Sequence, residues 1–454
     1  MWTVGNVAQR RAHEDIRNTI FSTKRIIGRT YGDVDGLTER MHWPFEIINS
    51  NGKPKIRVDG GTKEIYPIEI SARILCKARE MAENYLQREV TMAVITVPEC
   101  FTSEQKLATI EAGSLAGLKV LDIITDPMAA AISYVSEAVD PGKVLLVLSV
   151  GGGSCDVSIL SLESGKIEKH DSFGRTDLGG QDIDAAICEH YISKLKSSKY
   201  ELDKKQYFLF LEECRKGKEN LLQCESVEFS GEILDKDVIF VMRTEHLKTI
   251  DKAADFVSNI SKIVEDALTK HRSIDEAVVV GGCTRMTCLL ELLHQMQVRV
   301  NHILDVDEAI VHGAACHAYA LCAGEELLVA ESLPFVYGGK LNDSGPSKKE
   351  LKEIRSKLQS ERKISIEKKE RAKIINDFES VIYRTQKDLI DAGYQERSHY
   401  VQCCVKGLQW IENYRSSASN DDIRTKHDKF LASIPRLCDL HGSRILSGGE
   451  MRRV

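Results

Sequence analysis

The sequence lacks any apolar run long enough to cross a membrane, and it lacks the apolar core of a secretory signal. A membrane helix needs roughly eighteen or more apolar residues in succession, and no stretch approaches that length. The chain opens on MWTVGNVAQRRAHEDIRN, which is polar and charged. These absences predict a cytoplasmic or nuclear protein that does not bind membranes.

A strong charge of either sign and paired cysteine motifs are also missing. Lys and Arg number 62 against 68 for Asp and Glu, giving a net charge of −6, so the totals do not support nucleic-acid binding. The thirteen cysteines include no CxxC, and the closest pairs, Cys403–Cys404 and Cys283–Cys288, lack zinc spacing. We interpret them as reduced core cysteines of a cytosolic protein.

The chain is long enough for two or three domains, and its pattern changes once. Up to residue 323, apolar strand-like runs alternate with amphipathic helices, whereas charged helical patterning fills residues 347–440. Residues 324–346 are rich in Gly, Pro and Ser and are predicted to be a linker. The last residues, 441–454, are predicted to be a flexible tail.

Residues 92–137 carry the pattern of a parallel α/β layer. MAVITVP (92–98) and KVLDII (119–124) are predicted strands, each followed by a helix. Thr102 and Gln105 form a capping-box pattern, with Leu107, Ile110 and Leu115 on one face of the helix that follows. A second helix begins at Pro127. Right-handed crossovers of this kind imply parallel pairing of the strands.

A β-meander follows, and glycine turns accompany it. KVLLVLSV, CDVSILSL and KIEKHDSF are three strands joined by tight turns, which predicts a mixed sheet. Three glycine turns, GGGS (151–154), DLGGQD (177–182) and VVVGGCTR (278–285), follow strands. Successive N–H groups of such turns form nests for phosphate oxygens. One such turn is weak evidence, but three in one domain indicate a phosphate-binding site.

The order of these segments carries a resemblance to a known family. VITVPECF, AGLKVLDIITDPMAAAISY, GGGSCDVSIL, TDLGGQDID, VVVGGCTRM and DVDEAIVHGAACHA closely resemble the nucleotide-binding domain of the seventy-kilodalton heat-shock chaperones, the DnaK family. The likeness covers essentially residues 4–323, so domain 1–323 resembles that domain. It implies an α/β fold of the actin-like (ribonuclease H-like) class, with two lobes that close on ATP or ADP and Mg²⁺. A sugar kinase or an actin-like filament protein shares the fold but lacks these motifs.

The resemblance assigns roles to individual residues. Lys24 would position the attacking water and the terminal phosphate, where a cation stabilises the transferring phosphoryl group. Asp126 and Asp156 would complete the catalytic set and hold Mg²⁺ through water. The residues that would bind the nucleotide are Lys24, Gly151, Gly152, Gly153, Ser154, Gly179, Gly180, Lys218, Gly281, Gly282, Cys283, Arg285 and Asp307.

Departures from the family pattern predict impaired ATP hydrolysis. The family's first phosphate-loop hairpin and its aspartate have no counterpart, and Ser149 stands where the second key aspartate falls. A neutral hydroxyl does not hold hydrated Mg²⁺ as a carboxylate does. Arg215 and Glu219 exchange the family's charges, and Leu222 replaces a serine. Each lost electrostatic group typically adds about 2.7–4 kcal/mol to the barrier, so we expect no meaningful ATPase activity.

The missing hairpin also has a consequence for folding. Without its strands, the first lobe is expected to have an unpaired sheet edge. A truncated gene model would produce the same gap in the likeness.

Residues 347–440 resemble the family's helical lid. Ser347 and Glu350 form a capping-box pattern, and Trp410 matches a lid tryptophan. The apolar stripes predicted to pack as a bundle are Leu351, Ile354 and Leu358; Ile374, Ile375, Phe378, Val381 and Ile382; Val401, Val405, Leu408 and Ile411; and Ile423, Phe430 and Leu431. GEELLVA (324–330) resembles the family's interdomain linker. The family's peptide-binding β-sandwich and its EEVD ending are not found.

Two functions follow from the resemblance. The first is an ATP-binding molecular chaperone of the heat shock protein 70 type, which assists protein folding in the stress response with impaired hydrolysis. The second is a non-catalytic adaptor that binds J-domain co-chaperones and nucleotide exchange factors. Binding of unfolded polypeptide is not expected without the β-sandwich.

Overall fold

The computed structural model describes residues 2–137, 142–163, 166–195, 202–230, 239–271, 273–324, 345–391, 399–414 and 418–433. The chain divides into two compact units, residues 1–355 and 356–454. Most of the predicted linker and all of the predicted tail lie outside the described residues. Within the described ranges, no helix is long and apolar enough to span a membrane.

The first part of unit 1 is a small antiparallel sheet with helices around it. Strand β2 pairs with β1 on one side and with β3 on the other. Trp43, Phe45, Ile26 and Ile56 form its core. The elements are α1 (Asn6–Arg10), α2 (Tyr31–Val34), α3 (Leu37–Arg40), β1 (Glu46–Ser50), β2 (Lys53–Val58), β3 (Lys63–Ile65) and α4 (Pro67–Leu86).

The parallel layer predicted for residues 92–137 is confirmed. It consists of β4 (Met92–Val97), α5 (Ser103–Leu115), β5 (Lys119–Thr125) and α6 (Asp126–Glu137), with β4 and β5 parallel. The predicted capping box between Thr102 and Gln105 is present. The buried face of α5 is carried by Ala108, Ala112 and Leu115, whereas Leu107 and Ile110 are half-buried.

A five-stranded mixed sheet is the centre of unit 1. The predicted meander is confirmed, because β6 pairs antiparallel with β7 and β7 with β8, while β11 runs parallel to β6. The order across the sheet is β12-β11-β6-β7-β8. The elements are β6 (Val144–Val150), β7 (Cys155–Glu163), β8 (Lys166–Arg175), α7 (Gly180–Leu195), α8 (Lys204–Asn220), β9 (Ser226–Ser230), β10 (Ile239–Arg243), α9 (His246–Thr249), α10 (Asp251–Lys270), β11 (Glu276–Val280), α11 (Thr287–Gln295), β12 (Val300–Asn301) and α12 (Ala309–Ala323).

Alternate residues of β6 face two different cores, because side chains of a strand alternate between the faces of the sheet. Leu146 and Leu148 pack with residues of α7 and α10, whereas Leu145 and Val147 pack with residues of α6 and α12. Helices therefore cover both faces, which explains why every residue of β6 except Ser149 is apolar.

Unit 2 is a helical bundle with its own core. It contains most of α13 (Lys348–Asp391), together with α14 (His399–Tyr414) and α15 (Asn420–Ala432). Phe378, Ile382, Val401, Ile411 and Phe430 belong to one buried cluster. The second stripe of α13 and most of the α14 stripe therefore pack as the sequence predicts. Leu351, Ile354 and Leu358, the first stripe of α13, are not part of this cluster.

Two predictions about unit 2 and the start of α13 have different outcomes. The Ser347–Glu350 capping box is confirmed, since the two residues exchange hydrogen bonds of 2.7 and 3.3 Å. The prediction for Leu431 is wrong, because this residue is 40% exposed. Its neighbour Phe430 takes the core position, and the next residue of a helix points about 100° away.

The cysteines are less uniformly buried than the sequence predicts. All described cysteines are free thiols. Cys155, Cys188, Cys214, Cys288 and Cys404 are buried, but Cys224 and Cys322 are exposed. The prediction of core cysteines is thus correct for only part of the set. The position of a cysteine in its helix or strand, rather than its residue type, decides how exposed it is.

Candidate functional site

The first two glycine turns lie against each other. The N–H of Gly180 donates to the carbonyl oxygen of Gly151 at 3.0 Å, and the N–H of Gln181 donates to that of Gly152 at 2.9 Å. A Cβ atom on Gly179 would lie 2.6 Å from backbone atoms of Gly152 and Gly153, which no side chain tolerates. Glycine is required at 179 because two backbones touch there.

The third glycine turn joins the same place. Gly281 has a φ of +90°, and a Cβ atom there would lie 2.5 Å from the carbonyl oxygen of Val150. The Sγ of Cys283 contacts the carbonyl oxygen of Gly151 at 3.4 Å. A Cβ atom on Gly180 would lie 2.5 Å from that same Sγ. The structure therefore brings all three turns together.

Sheet topology explains this convergence. Strands β6 and β11 are parallel neighbours, with Ser149 opposite Val280. The carboxyl ends of parallel strands meet at one edge of a sheet, so the turns after both strands begin side by side. The second turn is brought to the same edge by β8, which returns antiparallel beside β7.

Lys218 lies beside the second turn. Its Nζ donates to the carbonyl oxygen of Gly180 at 3.0 Å and lies 2.6 Å from Oδ1 of Asp184. Burial raises the pKa of Asp184, and the nearby Lys218 opposes that increase. The lysine predicted from the sequence is therefore at the turns, held by a carboxylate that the sequence analysis did not single out.

Two further predicted residues form an ion pair near the third turn. Arg285 and Asp307 are joined by two contacts of 2.8 Å. This hydrogen bond to Arg285 holds the pKa of Asp307 below its usual range. A Cβ atom on Gly282 would lie 3.8 Å from Oδ1 of Asp307, so the pair borders the turn.

The first glycine turn closes on itself through Ser154. Its carbonyl oxygen accepts from the N–H of Gly151 at 3.1 Å. Within the described part of the chain, a Cβ atom on Gly151 or Gly152 would meet nothing within 4 Å. Open space therefore lies next to two of the three glycines of this turn.

The two predicted acids are buried close to each other. Asp126 begins α6, and Asp156 lies on β7 with no exposed surface. Oδ1 of Asp156 accepts from the N–H of Glu99 and from Sγ of Cys100, both at 3.1 Å. Burial raises the pKa of Asp156 to about 7, and the charge of Asp126 adds to the increase.

Ser149 is the direct partner of Asp156. The two residues pair across β6 and β7 in the antiparallel register, and directly opposed side chains lie on one face of a sheet. Ser149, which departs from the family pattern, is therefore next to Asp156, which matches that pattern.

The residues present fit a hydrated Mg²⁺ in part. This ion usually takes one or two carboxylates plus phosphate oxygens and keeps several waters. Asp126 and Asp156 could supply those carboxylates, and Oδ2 of Asp156 has no hydrogen-bond partner in the described part of the chain. Among the described residues, no group of three or more metal-ligating side chains occurs. A metal here would depend on water and on phosphate.

Lys24 lies on a 3₁₀ turn (Thr23–Arg25) next to the second glycine turn. Its side chain is exposed and forms no ion pair within the described ranges. The neighbouring Ser22 donates through its Oγ to Oε1 of Gln181 at 2.8 Å, which ties this segment to the start of α7.

Sequence reasoning missed Arg25, whose guanidinium binds both carboxylate oxygens of Asp182 at 3.1 and 2.6 Å. Arg25 is only 3% exposed. Asp182, which follows the second glycine pair, was the one signal in the sequence that a cation binds there. No local pattern, however, distinguishes a buried arginine from an exposed one.

A cavity of about 780 Å³ adjoins the site but does not include the first glycine turn. It lies mainly between the N-terminal segment, α4, α7 and α8, and it meets the site at Ser22, Gln181 and Asp184. We place the candidate site at the turns, because the backbone N–H groups and the acids converge there.

The geometry agrees with comparison to known proteins. A family model described as Hsp70 protein matches residues 2–339. This chain belongs to the Hsp70 family. Its α/β unit accordingly has the actin-like fold of the Hsp70 ATPase domain, followed by a helical region.

Two curated Hsp70 relatives are similar over most of the chain. A heat shock 70 kDa protein of Emericella nidulans is 33% identical over 354 residues, which cover 74% of this chain and 55% of the relative. A heat shock 70 kDa protein of Ajellomyces capsulatus is 32% identical over 355 residues, covering 74% of this chain and 50% of the relative. The chain aligns with about half the length of these Hsp70 proteins.

Arg215 and Glu219, which exchange the charges of the Hsp70 pattern, form ion pairs within α8. Arg215 binds Glu219 at 2.8 Å and Glu212 at 2.9 Å. Leu222, in place of a serine, is exposed. The exchanged charges thus pair with each other along α8.

Proposed function

We propose that this Hsp70-family chain binds an adenine nucleotide at the three glycine turns and hydrolyses it slowly or not at all. The observation that carries the proposal is the convergence of the turns, joined by the hydrogen bond from Gly180 to Gly151. Glycine turns expose backbone N–H groups, which bind phosphate oxygens. The open space beside Gly151 and Gly152 leaves room for them.

Cations of the chain would share the charge of the phosphates. Lys24 is exposed on the 3₁₀ turn that follows Ser22, the residue bonded to Gln181. Lys218 donates to the carbonyl oxygen of Gly180. A positive charge near the turns stabilises a polyphosphate. Arg285 and Asp307, which the resemblance implies bind the nucleotide, border the third turn.

Mg²⁺, when bound, would neutralise phosphate charge and orient the terminal phosphate. Asp126 and Asp156 are the residues that would hold its waters. Because the pKa of Asp156 is about 7, this carboxyl is partly protonated at neutral pH and holds a cation less well than an ordinary carboxylate.

Impaired hydrolysis follows from Ser149. The hydroxyl faces the same side of the sheet as Asp156 and brings no charge to the metal. A serine at this position leaves nucleotide contacts with the turns intact, so binding and turnover are expected to separate.

Calorimetric titration of the full chain with ATP and ADP, with and without Mg²⁺, tests binding. We expect a Kd in the micromolar range or tighter, weakened by Lys24→Ala. Lys53→Ala is the control, because Lys53 begins strand β2, which carries no candidate site residue. Absence of binding by the wild-type chain contradicts the proposal. Steady-state phosphate release should be far below that of an intact Hsp70, and a comparable rate contradicts the second half of the proposal.

The second candidate is a non-catalytic adaptor for J-domain proteins and nucleotide exchange factors. It is favoured by Ser149 and by the exchanged charges of Arg215 and Glu219. Chaperone activity and these partners are proposals for this chain. Binding to an exchange factor without any measurable nucleotide binding would favour the adaptor over the first candidate.

A further inference from the structure

Three pairs of side chains tie residues 22–29 to residues 176–182 by hydrogen bonds. Ser22 bonds to Gln181 at 2.8 Å, and Arg29 bonds to Oγ1 of Thr176 at 2.6 Å. Between them lies the bidentate pair of Arg25 and Asp182. Of these three contacts, only that between Arg25 and Asp182 joins two charged groups.

Arg25 is buried against the first glycine turn as well as the second. Its Nη1 also contacts Sδ of Met41 at 3.2 Å. Its Nε has no hydrogen-bond partner in the described part of the chain, and it would lie 3.5 Å from a Cβ atom on Gly153. Because Arg25 is only 3% exposed and both of its terminal nitrogens bind Asp182, the guanidinium acts through its neighbours.

Asp182 connects Arg25 to the backbone of the second turn. Its Oδ2 accepts from the N–H of Gly179 at 2.8 Å. Gly179 in turn packs on Gly152, and the next residue, Gly180, bonds to Gly151. A chain of contacts therefore runs from the Arg25 guanidinium through one carboxylate to both glycine turns.

We propose that Arg25 is a positioning residue for phosphate binding, which neutralises Asp182 and fixes the two turns in register. The inference rests on the proposed nucleotide site and extends it. Without Arg25, the carboxylate of Asp182 remains next to the turns and loses its bidentate counter-charge, and like charges repel. The affinity then falls with each added phosphate charge, whereas the affinity for an uncharged nucleoside does not.

The geometry calls for arginine rather than lysine at this position. A guanidinium binds both oxygens of one carboxylate with a planar fork, whereas an ammonium is a single point charge. Arg25→Lys therefore restores the charge but not the fork, and we expect partial rescue.

The experiment compares ATP, ADP, AMP and adenosine in titrations of the full chain, with and without Mg²⁺. The variants are Arg25→Gln, Arg25→Lys and the double variant Arg25→Gln with Asp182→Asn. We expect Arg25→Gln to weaken ATP binding by roughly 30-fold or more, to weaken AMP less, and to leave adenosine unchanged. The double variant removes the uncompensated carboxylate, so it recovers part of the lost ATP affinity.

Arg29→Gln is the matched control, because this arginine lies in the same segment and bonds to a neutral hydroxyl. It should show no dependence on the number of phosphates. Hydrogen exchange of residues 176–182 without nucleotide should speed up in Arg25→Gln, since the contact chain to Gly179 is broken. Circular dichroism verifies that each variant is folded.

The outcomes separate the two proposals. If the wild-type chain binds no nucleotide, the proposed function fails and this inference fails with it. If the wild-type chain binds ATP and Arg25→Gln weakens ATP and adenosine equally, or weakens neither, only the role of Arg25 is overturned. Failure of the double variant to recover any ATP affinity would also overturn it.

Discussion

The N–H of Gly180 lies 3.0 Å from the carbonyl oxygen of Gly151, and this hydrogen bond joins two glycine turns that strands β7 and β8 separate along the chain. The two turns approach this closely because Gly179 has no side chain, since a Cβ atom there would lie 2.6 Å from backbone atoms of Gly152 and Gly153. Much of the candidate site depends on such backbone proximity, and substitutions at single glycines can therefore separate folding from binding.

Gly179→Ala should destabilise the fold, and Gly152→Ala should not. A Cβ atom at 179 would lie 2.6 Å from the backbone of Gly152, whereas one at 152 meets nothing within 4 Å. We expect Gly179→Ala to lower the free energy of unfolding by about 1–3 kcal/mol. Chemical denaturation measures both variants.

The same two glycine variants also test the proposed phosphate site. A methyl group at 152 occupies the open space that we assign to phosphate, so Gly152→Ala should keep its stability but bind ATP more weakly. Unchanged ATP affinity in a stable Gly152→Ala variant would argue that phosphate does not lie over this turn.

Ser149→Asp should make stability depend on Mg²⁺. Ser149 is buried opposite Asp156, so the new carboxylate would lie beside an existing one. Like charges directly opposite in a sheet are destabilising, and a divalent cation relieves the repulsion. We expect a lower melting temperature in EDTA and recovery in millimolar Mg²⁺, with Ser149→Asn as the neutral control. Equal melting temperatures of Ser149→Asp in EDTA and Mg²⁺ would count against a metal at this edge.

Asp156→Asn should stabilise the chain at high pH and not at low pH. The pKa of Asp156 is raised from 3.8 to about 7 by burial. A carboxyl group whose pKa is raised on folding favours the folded state below its unfolded pKa, and this contribution is lost as the pH rises through about 7. At pH 8 in EDTA, the variant should therefore gain on the order of 2–4 kcal/mol over the wild type.

The gain should disappear as the pH falls towards 4, where both side chains are neutral. Asp307→Asn is a control of opposite sign, because the hydrogen bond to Arg285 lowers the pKa of Asp307. Its effect should be small, since the carboxylate is largely exposed. A pH-independent difference between wild type and Asp156→Asn would show that burial does not control this carboxyl.

Phe378→Ala should unfold the helical bundle of unit 2. Phe378 is fully buried and meets the ring of Phe430 at 5.7 Å, edge to face. Truncating such a residue typically costs about 3–5 kcal/mol. Hydrogen exchange should increase in α14 and α15, and Tyr383→Ala, at an exposed position of α13, should leave it unchanged. Retained protection of both helices in Phe378→Ala would contradict a packed bundle.

Local patterns predicted the parts of the fold that depend on neighbouring residues in the chain. The capping boxes of Thr102 with Gln105 and of Ser347 with Glu350 need only a turn of helix, and both are present. The apolar runs became β4, β5 and β6, and β5 and β6 are mostly buried, as strands covered on both faces are expected to be. The prediction for Leu431 was wrong because Phe430 takes the core position and the next residue of the helix points about 100° away.

Sequence alone determined the family, through the resemblance of its ordered motifs, together with the order of strands and helices in residues 92–175 and the glycine turns. The strands, helices and turns follow from residue type and spacing, which are local properties. Tertiary structure alone decided that Arg25 is buried on Asp182, that Asp156 is enclosed and therefore titrates near pH 7, and that all three turns meet. Burial and contact between distant segments depend on how the strands pair and pack, and no stretch of sequence carries that information by itself.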